Sequence, residues 1–297
     1  MENNNNLTYA FKDFVLNGLG ADLIRLTGLL AYCENNGINF HLCKNDVWMN
    51  VPSGEKERNW LYYFDESIPM DVNDSYRHVT EDLLKKSNTT FVPANQNISK
   101  FNYRSGLIKR IYLPKQAHII MVKDYINQHL PFLLNQQFLL DQQYVIVHIR
   151  RGDKVAGPWK ENEIIPTEKY LSTLKTYGKI IKSNENPIVA FIITDSNDVI
   201  NEMAGYEKEF ETYGIKLKWD KNETRRDGYC FKLFKYGFDD SNIRDEMFTF
   251  IKNMYIMQNS KEMIGARMSF LYIAAELLRG KKSISLADNT AYPVDFY

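Results

Sequence analysis

Two short apolar runs constrain this chain more than anything else in it. Tyr144–Ile149 reads YVIVHI and Ile188–Thr194 reads IVAFIIT, nearly unbroken by the polar alternation of a strand with one wet face. Strands apolar on both sides need cover on both sides, which is the situation of parallel strands flanked by crossover helices. Stretches with helical periodicity supply that cover. Thr167–Tyr177 reads as a helix, Asn197–Tyr213 as an amphipathic one, and Ile215, Leu217 and Trp219 alternate as a third strand. The pattern continues with a helix over Asp240–Met257, a strand at Met263-Ile264, a helix over Ser269–Leu278 and a last strand over Ser283–Leu286. Strand alternating with helix in this way predicts a Rossmann-like domain with right-handed crossovers.

The amino-terminal part opens similarly. Leu16-Asn17-Gly18-Leu19-Gly20 is a glycine-punctuated turn, followed by an apolar face at Leu23, Leu26, Leu30 and Cys33. The helix is expected to stop at Asn36-Gly37, where glycine takes a left-handed cap, and Ile38, Phe40 and Leu42 then alternate as a strand. Between Trp48 and Arg110 the chain is rich in aromatics and carries Pro52, Pro69 and Pro93. That stretch reads either as a surface for a second substrate or as an ordinary aromatic core under long loops. A helix over Gln116–Leu130 and a polar link over 135–143 lead into the second unit. The expectation is an α/β protein of two facing Rossmann-like domains, 1–135 and 136–297, across its 297 residues.

Composition removes several classes of function. Lys+Arg and Asp+Glu are both 37, so the chain lacks the basic excess by which nucleic-acid-binding proteins neutralise phosphates. The three cysteines, Cys33, Cys43 and Cys230, form no C-x-x-C pair, and an odd number closes no disulfide framework. The five histidines are scattered, with no Cys/His cluster of zinc-site spacing, so no metal is expected. The apolar runs are too short to span a bilayer. Met1-Glu2 and four asparagines make no basic, then apolar leader, so a cytoplasmic protein is expected.

Ligands of open α/β sheets bind beyond the carboxyl ends of the strands. At that end of the first strand of the second unit stands His148-Ile149-Arg150-Arg151-Gly152-Asp153-Lys154. Guanidinium forks bind phosphate oxygens in bidentate fashion, so Arg150 and Arg151 suit a diphosphate. Gly152 lets backbone approach a ligand, Asp153 can orient an arginine or hydroxyl, and Lys154 adds a mobile charge. The competing reading is a solvated, salt-bridged loop. At the end of the next strand, Asp195-Ser196-Asn197 lacks the second acid of an Asp-x-Asp metal pair, so fixed cations would have to do the work of Mg²⁺.

The run from His148 to Lys154 resembles the H-x-R-R-x-D-K signature of GDP-fucose-dependent fucosyltransferases, particularly the core N-glycan and nodulation-factor enzymes. The resemblance continues through Pro166 and Tyr170, Thr194-Asp195, and Gly265-Ala266-Arg267-Met268-Ser269 with Ala275-Glu276. Gly18-Leu19-Gly20 is similar to a turn near the start of that family's first domain. Roughly half of the chain takes part. The resemblance implies a GT-B-type architecture, an inverting reaction without metal, and no cofactor beyond a nucleotide-sugar co-substrate. It implies a donor side in 136–297 and a glycan acceptor side in 1–135. By position it implies that Arg150 and Arg151 bind the diphosphate, with His148 at base or ribose and Lys154 at fucose or base. Asp195, Arg267, Ser269, Gly18 and Gly20 complete the donor-binding set, with Arg151 also acting in catalysis.

Two departures leave alternatives open. The family's acceptor-deprotonating glutamate falls on Pro158 here, so Glu161, Glu163 and Asp153 are the remaining candidates for the base, and a solvated loop is the competing reading of both glutamates. The family's guanine-reading aspartate falls near Lys252 or Asn253. A UDP-sugar donor such as UDP-xylose, or a catalytically inactive binding relative, therefore stands beside GDP-fucose.

Overall fold

The computed structural model describes 8–12, 78–79, 89–93 and 103–104, fourteen residues within 24–43, and most of 114–297. Within that last stretch it leaves out 134–143, 153–163, 182–186, 224, 226–239, 268, 288–293 and 296–297. Gly18, Gly20, Asp153, Lys154, Glu161 and Glu163 lie outside the described residues.

The first sheet has four parallel strands, β1 (Thr8–Lys12), β2 (Asn39–Cys43), β3 (His78–Val79) and β4 (Thr89–Pro93), in the order β3-β2-β1-β4. Described residues between 24 and 36 are helical (α1), with Ile24, Ala31 and Cys33 fully buried. Gly37 follows in the left-handed conformation, φ 62°, as the sequence predicts. A two-residue strand, β5 (Tyr103–Arg104), pairs in parallel with the carboxyl-terminal β11 (Val294–Asp295).

The second sheet holds the two apolar runs side by side. Its strands are β6 (Tyr144–Ile149), β7 (Ile188–Thr194), β8 (Ile215–Trp219), β9 (Glu262–Gly265) and β10 (Ile284–Ser285). All pair in parallel, in the order β10-β9-β6-β7-β8. Every residue of β6 and β7 is buried. Read from β8, the strands run third, second, first, fourth, fifth, which is the Rossmann order; the first sheet has the same order through its four strands.

Alternation along β6 separates two cores. Val145, Val147 and Ile149 pack with Tyr170, Leu171 and Leu174 of α3 (Thr167–Ile181) and with Val199 and Met203 of α4 (Asn197–Gly205). On the other face the Tyr144 hydroxyl donates to Ile256 O of α6 (Asp240–Gln258) at 2.7 Å, and His148 meets Tyr272 of α7 (Phe270–Arg279). The helix α2 (Gln116–His129) packs on α6, and Phe132, in the following turn, touches Phe191 of β7 at 5.9 Å between ring centroids. Each fully buried aliphatic side chain contributes about 1.5–3 kcal/mol, so these two apolar layers dominate the stability of the unit.

Two helices differ from the sequence reading by more than a residue at an end. Helix α3 continues past Tyr177 to Ile181, passing through Gly178. A Cβ on Gly178 would stand 2.6 Å from Ile215 Cδ1, so this glycine permits close packing on β8 rather than ending the helix. The stretch 197–213 is two helices, α4 and α5 (Glu207–Thr212), with a break at Tyr206. There the Tyr206 N–H bonds back to Met203 O, and the change of direction keeps Phe210 fully buried.

Candidate functional site

Strand order decides where this sheet offers a ligand a place. From β6 the chain goes to β7 and β8 on one side, then returns to β9 on the other, so the topological switch lies between β6 and β9. Because the strands are parallel and Val147 pairs with Ile264, the segments after β6 and β9 emerge at the same edge. That edge carries Arg150, Arg151 and Gly152 after β6, Asp195 after β7, and Arg267 and Ser269 after β9.

Asp195 ties the first two of these segments together. Its Oδ2 lies 2.8 Å from Arg150 Nη1, and its Oδ1 accepts the Arg151 backbone N–H at 2.8 Å. Gly152 then turns with φ 59°, a conformation costly for a residue with a Cβ. The adjacent arginines are held differently. Arg151 donates from Nη1 to Arg150 O at 3.2 Å and from Nη2 to Thr167 Oγ1 at 3.1 Å, and its side chain also bonds to Tyr170. These partners are neutral oxygens. Arg267, by contrast, is clamped fork-to-fork on fully buried Glu276, at 2.7 Å (Nε–Oε2) and 2.8 Å (Nη2–Oε1). Glu276 Oε1 also accepts the Ser283 N–H. Of the three edge arginines, Arg151 alone has no carboxylate among its described side-chain partners, so its charge is the least compensated for an incoming anion.

Ser269 takes the N-cap position of α7, as a serine before a helix predicts, and is buried with no capping bond from its hydroxyl. His148 is 4% exposed, its ring 5.9 Å from that of Tyr272. Burial, with Arg150 nearby, pushes its pKa down to about 3, so the imidazole is neutral at pH 7. The unfolded chain protonates His148 near its ordinary 6.5, whereas the folded chain resists protonation down to about 3. The stability this residue contributes is therefore full above 6.5 and falls with pH through that window. Urea unfolding from pH 7 to 4 is expected to show this as a loss of up to about 1.4 kcal/mol per pH unit, absent in His148→Gln. Parallel slopes for the two proteins would contradict the assignment.

Several functional candidates escaped sequence reasoning. Thr167 at the start of α3 reads as a helix-end residue, and Glu202 as part of the wet face of α4. Asp220, just beyond β8, sits with Lys252, Glu223 and Tyr125 in a buried polar cluster, and only its place after a strand hinted at a role. Lys252 Nζ is 2.5 Å from Asp220 Oδ2 and 2.9 Å from Glu223 Oε2. The neighbouring Asn253 is buried, and its side-chain carbonyl oxygen has no hydrogen-bond partner among the described residues. No group of three or more His, Cys, Asp or Glu among the described residues could hold a metal ion. No described helix is long and apolar enough to cross a membrane.

No protein-family model matches the chain, and no curated protein does. Solved structures do. The fucosyltransferase NodZ from Bradyrhizobium aligns with a TM-score of 0.54 at 10% identity, over 92% of this chain and 93% of that one. NodZ alpha-1,6-fucosyltransferase co-crystallized with GDP gives 0.52 at 11% identity, and soaked with GDP-fucose 0.51 at 11%, each over 92% of both chains. The described α/β elements, with their parallel Rossmann-order sheets, have the fold of these fucosyltransferases.

Proposed function

We propose that this protein is an inverting glycosyltransferase of GT-B architecture, moving L-fucose from GDP-fucose to a glycan hydroxyl without a metal ion. The observation that carries the reading is Arg151, a cation at the topological switch with only neutral oxygens as described side-chain partners. The fold shared with NodZ, whose structures include GDP and GDP-fucose complexes, supports it.

In this reaction the acceptor oxygen attacks C1 of the sugar while the bond from C1 to the phosphate oxygen breaks. The electron pair leaves on the diphosphate, and the acceptor proton passes to a carboxylate base. Arg151, with Arg150 beside it, faces the charge that builds on the leaving diphosphate, where a preorganised cation lowers the barrier most. Glu161, Glu163 and Asp153 are the candidates for the base, and a carboxylate serves that role once within hydrogen-bond reach. His148 is neutral and buried, so it contributes shape and an uncharged donor or acceptor to this edge rather than cationic phosphate binding.

A UDP-sugar donor is the second reading, because Lys252 and Asn253 stand near the position of the family's guanine-reading aspartate, and Lys252 is itself ion-paired to Asp220. Thermal shift with GDP against UDP tests both, because a ligand of the native state raises the melting temperature. GDP stabilisation, with GDP released from GDP-fucose in EDTA, is the expected result. Stabilisation by UDP alone would move the donor to the second reading. Turnover abolished by EDTA and restored by Mn²⁺ would overturn the metal-free mechanism, and binding of GDP without release would indicate an inactive relative.

A further inference from the structure

We propose that Glu202 is a positioning residue for Arg151, acting through the hydroxyl of Thr167; this rests on the reading of Arg151 as the diphosphate-binding cation. Thr167 Oγ1 lies 2.7 Å from Glu202 Oε2 and 3.1 Å from Arg151 Nη2. A threonine hydroxyl has one hydrogen to give and two lone pairs to receive with. An ionised carboxylate only accepts, and a guanidinium only donates, so the direction of the chain is determined. Thr167 donates to Glu202 and accepts from Arg151.

The intervening hydroxyl has a consequence that direct pairing would not. Arg150 and Arg267 each pair directly with a carboxylate, Arg150 through one contact to Asp195 and Arg267 fork-to-fork with Glu276, and much of their charge is spent within the protein. Glu202 instead fixes the rotation of a neutral hydroxyl, whose lone pair then holds one edge of the Arg151 guanidinium. The planar fork is oriented, yet no carboxylate among the described residues stands against it to compete with a phosphate. Thr167 is 3% exposed, so water cannot readily replace its hydroxyl, whereas Glu202 is exposed on α4 and can be changed without opening the core. Preorganisation of this kind lowers the cost of ordering a long side chain when the ligand binds.

Calorimetric binding of GDP and of inorganic pyrophosphate is the test, on the wild type, Thr167→Val, Thr167→Ser, Glu202→Ala, the double variant Thr167→Val/Glu202→Ala, and Arg151→Ala. Losing a hydrogen bond to a charged group is expected to weaken binding about tenfold in Thr167→Val, with Thr167→Ser close to wild type. Glu202→Ala is expected to lose several-fold, and the double variant no more than Thr167→Val alone, since both break one chain. Additive losses in the double variant, or a Thr167→Ser as weak as Thr167→Val, would overturn the proposal. Should Thr167→Val not fold, Glu202→Ala with unchanged affinity overturns it equally. An unchanged affinity in Arg151→Ala, or a wild type that binds neither probe, refutes the donor-site reading itself and the positioning role with it.

Discussion

Arg151→Ala is expected to lower kcat by about two to three orders of magnitude while leaving the fold intact, because in the proposed reaction the lost interaction strengthens as charge builds on the leaving diphosphate. The side chain makes its described contacts with a backbone carbonyl, a hydroxyl and a phenol at the sheet edge, not with the apolar layers. Its removal therefore opens no core cavity. Arg151→Lys retains the charge but not the fork, and is expected to be impaired well beyond a surface substitution. Lys179→Ala, on the exposed side of α3, provides that comparison. Near-normal turnover in Arg151→Ala, with any nucleotide sugar that the native protein uses, would remove Arg151 from the donor site. Loss of folding would make it a structural residue.

The largest effect on stability is expected at Lys252. Its side chain is 2% exposed and that of Asp220 is 1% exposed. The Tyr125 hydroxyl donates to both Asp220 oxygens at 3.0 and 2.8 Å, and the Lys252 ammonium lies 5.0 Å from the Tyr125 ring centre. Burial by itself raises the Asp220 pKa. The Lys252 charge and the bonds from Lys252, Tyr125 and the Asn222 N–H outweigh it and hold the carboxyl below its ordinary 3.8. Lys252→Met leaves that carboxylate buried without its cation and is expected to cost about 3–5 kcal/mol. The Asp220 contribution is present above the ordinary carboxylate range and is lost as the pH falls below it. The mutational deficit should therefore shrink in acid. Urea midpoints at pH 7 and pH 3 measure both effects. A deficit no larger than that of Lys175→Met, which removes the solvent-exposed partner of Glu209, would show that the cluster adds no stability.

How much of this was legible beforehand varied with the range of the forces involved. The strands Tyr144–Ile149, Ile188–Thr194 and Ile215–Trp219 begin and end where their side-chain patterns do. Ser269 stands at the N-cap position of the helix it precedes, and Gly37 turns left-handed where predicted. Helix α3 outruns the Thr167–Tyr177 reading, because the packing of Gly178 on β8 shows only in the tertiary structure. Tyr206 misled for a similar reason. The apolar periodicity of 197–213 survives the break, since both short helices bury the same face.

At the site, the placement of Arg150 and Arg151 at a carboxyl edge followed from sequence, while their inequality did not. Burial on both faces of a strand, a helix cap and a turn glycine act over a few residues, so the chain alone determines the buried strands and the carboxyl edge that carries Arg150 and Arg151. What the tertiary structure decided is which of these arginines meets a carboxylate among the described residues. Arg150 meets Asp195, and Arg267 meets a buried glutamate. Arg151 rests on Thr167 across 16 positions, and Thr167 on Glu202 across 35. Hydrogen bonds and ion pairs depend on distances of about 3 Å, and only the packing of α3 and α4 on β6 and β7 brings such separated residues that close.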